Sequence, residues 1–246
     1  MEGNMKDSIF TVLDNQKIAD NTYKMTLRGD TSAITAPGQF VNIKLDGFYL
    51  RRPISVCDVL GDTLTIIYKA VGKGTEYMAS MTGGESLWVL SGLGNGYDTS
   101  VSGRKPLLIG GGAGVPPMYY LAKKLISEGK TVTVIMGFNK ESEIFYKDEF
   151  EKLGARVLIT TADGSVGIRG FVTDAMDLDY SYIYACGPEV MLKAIYEKCT
   201  TSAQFSFEER MGCGFGACMG CTCKTKYGNK RICRDGPVLV KEEIIW

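Results

Sequence analysis

The chain has no histidine. With it go the side chain that most often exchanges protons near neutral pH and the commonest nitrogen ligand for metals. Any protein metal site must be built from thiolate or carboxylate, and difficult chemistry falls to a cofactor. Net charge is missing too: 28 Lys and Arg balance 28 Asp and Glu. That removes the overall basic excess of a nucleic-acid binder. With 45% hydrophobic residues the chain also lacks the composition of a disordered polyelectrolyte. No apolar run approaches the roughly 18 residues of a membrane span. The opening MEGNMKDSIFTV has no basic stretch ahead of an apolar block, so no secretory signal is expected. The expectation is a cytoplasmic protein with neither membrane nor nucleic acid as partner.

What remains is organised in three stretches. Residues 1–100 read as a β domain: short runs rich in Val, Ile, Thr and Tyr (IFTVLDNQKI, TYKMTLRG, QFVNIKL, RRPISVCDV, LTIIYKAV, SLWVLSGL) with turns such as Asp46–Gly47 between them. Such spacing predicts a sandwich or an antiparallel β-barrel, with one short helix over residues 75–81. After the polar linker TSVSGRK, residues 101–205 alternate apolar strands with helices, including PPMYYLAKKLISEG and ESEIFYKDEFEKLG. This pattern predicts a parallel α/β sheet covered on both faces, with binding loops at the strand ends. Residues 206–246 form a short glycine- and cysteine-rich tail with few apolar residues, so a metal staple would explain its order.

Eight cysteines are present, and five of them crowd that tail. Cys57, Cys186 and Cys199 fall in regular elements and read as small buried residues. Cys213, Cys218, Cys221 and Cys233 are spaced C-x4-C-x2-C, then eleven residues, then C. That is the spacing of plant-type [2Fe–2S] sites. One loop must wrap a small anionic core, and Gly212, Gly214, Gly216 and Gly220 allow close approach and N–H donation to sulfur. Beginning the register at Cys218 reaches Cys223 but then lands on Lys226, which leaves Cys223 as the bystander. Three other readings compete. Structural zinc usually takes paired C-x2-4-C knuckles; disulfides conflict with a reducing compartment; free thiols would leave the tail without an ordering force.

A one-electron centre needs a donor, and three strand–loop–helix junctions could supply one. Residues 110–117, GGGAGVPP, follow an apolar strand and open a helix, where N–H groups and the helix dipole favour phosphate. The strict GxGxxG spacing is absent, and a plain tight turn is the alternative. Residues 185–188, ACGP, and 161–165, TADGS, end two further strands. In the β stretch, LRRPIS places two arginines before a proline inside a strand pattern, which fits either phosphate recognition or a solvated edge strand. YKAVGKGT puts Gly72 and Gly74 ahead of the short helix.

Taken in order, RRPIS, GKGT, LGNGY, GGGAGVPP, TADGS, CGP and EERMGCGFGAC resemble the ferredoxin-reductase flavoproteins, and within them the electron-transfer subunits of dihydroorotate dehydrogenase B. The resemblance implies a β-barrel FAD domain, an α/β NAD domain and a [2Fe–2S] tail. It implies that Arg52, Pro53, Ile54 and Ser55 hold FAD, that Ile67, Tyr68 and Lys69 line the flavin, and that Gly74 and Thr75 cap its phosphates. Gly111, Gly112, Gly114, Cys186, Gly187 and Pro188 would border NAD, and Cys213, Cys218, Cys221 and Cys233 would ligate the cluster. It further implies an oxidoreductase subunit of pyrimidine biosynthesis. Electrons would pass from an FMN-containing dihydroorotate dehydrogenase catalytic subunit to NAD+, in a heterotetramer with two of each chain. Lys140, after TVTVIMGF, fits either attraction of an NADP 2′-phosphate or an ordinary lysine in a solvated loop; the resemblance favours NAD. Rival readings are the small subunit of an NADH-dependent ferredoxin–NADP oxidoreductase, a stand-alone NADH-oxidising iron–sulfur reductase, and a zinc-stapled nucleotide-binding regulator.

Overall fold

The computed structural model describes residues 5–246. Strands β1 (Lys6–Ala19), β2 (Thr22–Arg28), β3 (Phe40–Lys44), β4 (Arg52–Leu60), β5 (Thr63–Lys69) and β6 (Ser86–Leu93) close an antiparallel barrel in the order β1-β2-β5-β4-β3-β6, with helix α1 (Lys73–Ser80) between β5 and β6. The period of two explains the closure. Met25 and Leu27, Val41 and Ile43, and Leu64 and Ile66 all turn into one buried core. Asn42, between Val41 and Ile43, therefore faces outward.

The wall of the barrel is not continuous. β4 pairs with β3 over Arg52–Ser55, but with β5 only from Val56 onward, past a register shift between Val56 and Asp58. Residues 67–69 of β5 pair with β2 alone. A gap thus opens between the first half of β4 and the end of β5. This resolves the proline: Pro53 sits in an interior strand, not an edge strand, but where one neighbour is missing and no ladder bond is forfeited.

The second layer runs β7 (Pro106–Gly111), α2 (Val115–Ser127), β8 (Thr133–Phe138), α3 (Lys147–Lys152), β9 (Arg156–Thr161), β10 (Ile168–Arg169), β11 (Tyr182–Cys186), α4 (Glu189–Lys198) and β12 (Ala203–Ser206). The sheet order is β10-β9-β8-β7-β11-β12 and then β15 (Val238–Val240), parallel except for that last strand, and the winding reverses between β7 and β11. Leu107 and Ile109 bury against Leu192 and Ile195 of α4, while Leu108 buries on the other face against Met118, Leu121 and Leu125 of α2. A central parallel strand is apolar throughout for this reason. Cys57 and Ile67 of the barrel share the α2 core, and Lys123 of α2 pairs with Asp58 at 2.8 Å, which seats the barrel on the sheet.

Two expectations change. The helix expected over ESEIFYKDEFEKLG shrinks to α3, because Phe145 turns into the core against Phe138 (ring centroids 5.5 Å apart) and Tyr146 adopts φ 65. Tertiary burial of an aromatic outweighs a weak helix preference of tenths of a kcal/mol per residue. The tail also needs less help than its composition indicated. Its hairpin β13 (Thr222–Thr225) and β14 (Gly228–Arg231), the turn α5 (Ile232–Asp235) and strand β15 (Val238–Val240) borrow the sheet's core: Cys221, Ile232, Cys233, Leu239 and Ile244 bury beside Phe205 and Leu192. Among the described residues no helix is long and apolar enough to cross a membrane.

Candidate functional site

The barrel gap is lined by charge and by a helix start. The Arg52 guanidinium lies over the Phe48 ring, 4.9 Å from its centroid, and donates to the Leu50 carbonyl. Gly74, in the first turn of α1, packs onto that guanidinium so closely that a Cβ would overlap it. The Thr75 hydroxyl oxygen accepts from the Val71 and Gly72 N–H groups (3.0 and 3.3 Å) and shapes the turn. An arginine beside a helix N-terminus favours phosphate. Pro53 is exposed and Ser55 half-buried at the open edge, while Ile54 packs on the barrel core. Across the gap, Ile67 and Tyr68 point to opposite sides. Ile67 joins the α2 core; Tyr68 turns inward and its hydroxyl donates to Asn15 Oδ1 at 2.9 Å. They do not form one wall of side chains; what they share with Lys69 is the strand edge facing the gap. Lys69 reaches out of the barrel, with Nζ 3.6 Å from the Glu143 carboxylate and beside Gly112.

The glycine loop and the CGP loop meet because β7 and β11 are parallel neighbours, with Gly110 opposite Cys186. Gly114 abuts the Cys186 carbonyl, where a Cβ would not fit, and Gly111 abuts Pro188 and Met191. The Tyr97 hydroxyl donates to the Ala185 carbonyl at 3.1 Å and ties the barrel's exit loop to the same edge. Gly111, Gly112, Gly114, Cys186, Gly187 and Pro188 thus form one surface at the carboxyl ends of the strands, over the point where the winding reverses, where open α/β sheets bind ligands. Cys186 is only partly buried as a residue, yet burial pushes its thiol up to about 12, so it stays neutral. Lys140 is engaged: Asp20 of the barrel takes it at 2.8 Å and accepts from the Ser142 hydroxyl at 2.7 Å.

The four spaced thiols come together as two pairs. Ala217 and Cys218 donate their N–H groups to Cys213 Sγ (3.2 and 3.4 Å), and Cys213 N–H donates to Cys218 Sγ at 3.5 Å. Cys233 N–H donates to Cys221 Sγ at 3.4 Å. Burial pushes the Cys213 thiol up, but these donors, with Phe215 N–H, outweigh it and bring it down to about 6. Cys233 is pushed up to about 12 by burial and by the neighbouring sulfurs of Cys221 and Cys213. Among the described residues no three Cys, His, Asp or Glu side chains converge as ligands of one ion. Two thiol pairs, with Cys213 already favouring the thiolate, fit a two-iron cluster with two sulfurs per iron. The N–H donors come mostly from Cys, Phe and Ala residues rather than from the glycines; Gly214 and Gly216 supply positive φ (81 and 91). Cys223 lies on β13 opposite Lys230, apart from these pairs.

Sequence reasoning missed the residues that join these parts. Asn42 donates to the Cys213 carbonyl at 3.3 Å, and Asn95, inside LGNGY, bonds the segment after Cys233. A polar residue at an outward position of an apolar strand was the available signal for Asn42.

Two family models match this chain: the iron-sulfur cluster binding domain of dihydroorotate dehydrogenase B over residues 208–245, and the oxidoreductase NAD-binding domain over residues 108–197. Dihydroorotate dehydrogenase B (NAD(+)) electron transfer subunits of Bacillus pumilus and Fusobacterium nucleatum are each 43% identical to it, covering 98% of this chain and 98% and 99% of theirs. A solved structure of an NADH-dependent reduced ferredoxin-NADP oxidoreductase superposes with a TM-score of 0.88 at 28% identity, covering 100% of this chain and 92% of that one. The chain belongs to the family of dihydroorotate dehydrogenase B electron transfer subunits.

Proposed function

We infer that this chain is the oxidoreductase subunit that carries electrons from a dihydroorotate-oxidising, FMN-containing catalytic partner to NAD+ in pyrimidine biosynthesis, with FAD and a [2Fe–2S] cluster as its resident groups. The observation that carries this reading is the convergence of three sites on one barrel face and its adjoining sheet edge: the β4–β5 gap, the paired glycine loops, and the thiol pairs docked at Asn42. When bound, the cluster exchanges single electrons and the flavin couples them to two-electron hydride exchange with the nicotinamide.

The chain's own residues bind and orient. Arg52, with the α1 N-terminus at Gly74 and Thr75, neutralises the flavin pyrophosphate, and the open strand edges at Pro53–Ser55 and Ile67–Lys69 receive the ring system. Gly111, Gly112, Gly114 and Cys186, Gly187, Pro188 let the nicotinamide nucleotide approach the backbone. Cys213 and Cys218 would take one iron, Cys221 and Cys233 the other. No side chain here needs to act as acid or base, in keeping with the missing histidine. The assembly is a heterotetramer with two copies of each subunit, in the cytoplasm. Residues 1–100 would hold FAD, 101–205 NAD and 206–246 the cluster, the last stretch sharing the sheet's core through β15.

The solved ferredoxin-NADP oxidoreductase favours a second reading, in which the partner differs but the three sites do not. Co-expression with an FMN-containing dihydroorotate dehydrogenase subunit, then anaerobic addition of dihydroorotate, decides between them. The expected result is a stable complex in which cluster and FAD absorbance both bleach; no complex, or FAD left oxidised, would overturn the first reading.

A further inference from the structure

We propose that two barrel asparagines, Asn42 and Asn95, are the positioning residues that hold the cluster loop against the flavin-binding strands; this rests on the function proposed above. The cluster loop is tied at both ends, and both ties are asparagine side chains on the barrel side. At its start, Asn42 Nδ2 donates to the Cys213 carbonyl at 3.3 Å, and Gly214 approaches the same amide so closely that a Cβ would overlap it. Just past its end, Asn95 treats residue 238 as a strand would: Oδ1 accepts from the Val238 N–H at 2.9 Å and Nδ2 donates to the Val238 carbonyl at 2.8 Å. Asn95 N–H adds a bond to the Gly236 carbonyl at 2.6 Å. The first and last ligands therefore lie between two clamps.

Asn42 is also built into the flavin segment. It sits opposite Pro53 in the β3–β4 ladder, and its carbonyl accepts from Arg51 at 3.3 Å. Only 1% of it is exposed, and its Oδ1 finds no donor among the described residues. Burying an amide with one end unpaired is unfavourable. An apolar side chain would seat there at lower cost, so the amide's bond to the Cys213 main chain is what distinguishes it. The barrel strand that pairs with RPIS thereby sets where the first cluster ligand stands. Sites held through rigid strands keep their geometry better than sites on free loops.

The test uses the full chain loaded with FAD and cluster, as wild type, Asn42→Leu and Asn95→Ala. Backbone amide exchange should rise about tenfold over residues 212–222 in Asn42→Leu and over residues 233–238 in Asn95→Ala, the weight of one or two lost hydrogen bonds. Exchange in β1, β2 and β7 should not change. In stopped flow, Asn95→Ala should leave NADH reduction of the flavin within about twofold of wild type, and in both variants the later bleaching of the cluster should slow about tenfold relative to flavin reduction. If Asn42→Leu does not fold, Asn42→Ala is read in its place. Unchanged exchange over both stretches together with unchanged cluster bleaching overturns the proposal. Failure of wild type to pass electrons from NADH to flavin would instead overturn the function it rests on, and the exchange result would still stand or fall by itself.

Discussion

At the scale of single residues, position in the fold separates chemically identical side chains. Five thiols lie within 21 residues of one another, but only four stand in hydrogen-bonded pairs, and Cys223 packs on a hairpin instead. Cys223→Ser should keep its full complement of iron and sulfide, whereas Cys221→Ser should lose most of both; metal and sulfide analysis after anaerobic reconstitution checks this. Lys140 shows the converse, a residue whose apparent freedom in the sequence is removed by a distant partner. Asp20 lies 120 positions away and holds it. Asp20→Asn should release it and raise kcat/KM with NADPH by about two- to fivefold, the weight of one exposed charge contact, with little change for NADH. Hydrogen bonds from Lys140 and Ser142 hold Asp20 below the ordinary aspartate range. A depressed carboxyl keeps its partner above its unfolded pKa and loses it only as pH falls through the lowered value. The Asp20–Lys140 contact should therefore persist down to about pH 5, and the wild-type preference should stay flat from about pH 8 to about pH 7, above the second pKa of about 6 of the NADPH 2′-phosphate itself.

At the scale of elements, the informative features are the places where regular structure stops. β4 and β5 cease to pair where RPIS and IYK begin, and the helix expected over residues 141–154 breaks at Phe145. Only one of these breaks was partly legible. Proline inside a strand marked the first, while the second was hidden because its apolar residues fit a helical stripe as well as a buried turn. Phe145 is 5% exposed and packs against Phe138 and Tyr146. Phe145→Ala should cost about 3–5 kcal/mol and be visible as a lowered urea midpoint with an unchanged slope.

At the scale of the whole molecule, the tail is part of the sheet before it is part of a metal site. β15 pairs antiparallel with β12, and Ile232, Leu239 and Ile244 share the α4 face. Removing iron under anaerobic chelation should release residues 212–223 and leave β15 protected, which hydrogen exchange would report as a step in protection between those segments. Exchange rising equally through residues 238–240 would mean that the cluster, not the shared core, holds the tail. The same packing explains how three sites come to face one another. β3 carries Asn42 to the cluster loop, β4 carries Arg52 to the gap, and α2 fixes the barrel on the sheet through Asp58 and Lys123.

The sequence by itself determined the kind of chemistry and the kind of layers. The thiol spacing, the glycine junctions and the two periodicities are local properties, set by residues within a loop, a turn or one strand, and they are visible without knowing the fold. Tertiary structure alone decided which strands pair, where the barrel opens, which carboxylate holds Lys140 and which asparagines grip the tail. Those contacts join residues 42 and 213, 95 and 238, and 20 and 140, and no local signal records which distant partner a buried polar group will meet. The pairing follows from closing the barrel and stacking it on the sheet, where each amide and charge taken from water must find a partner in the folded chain.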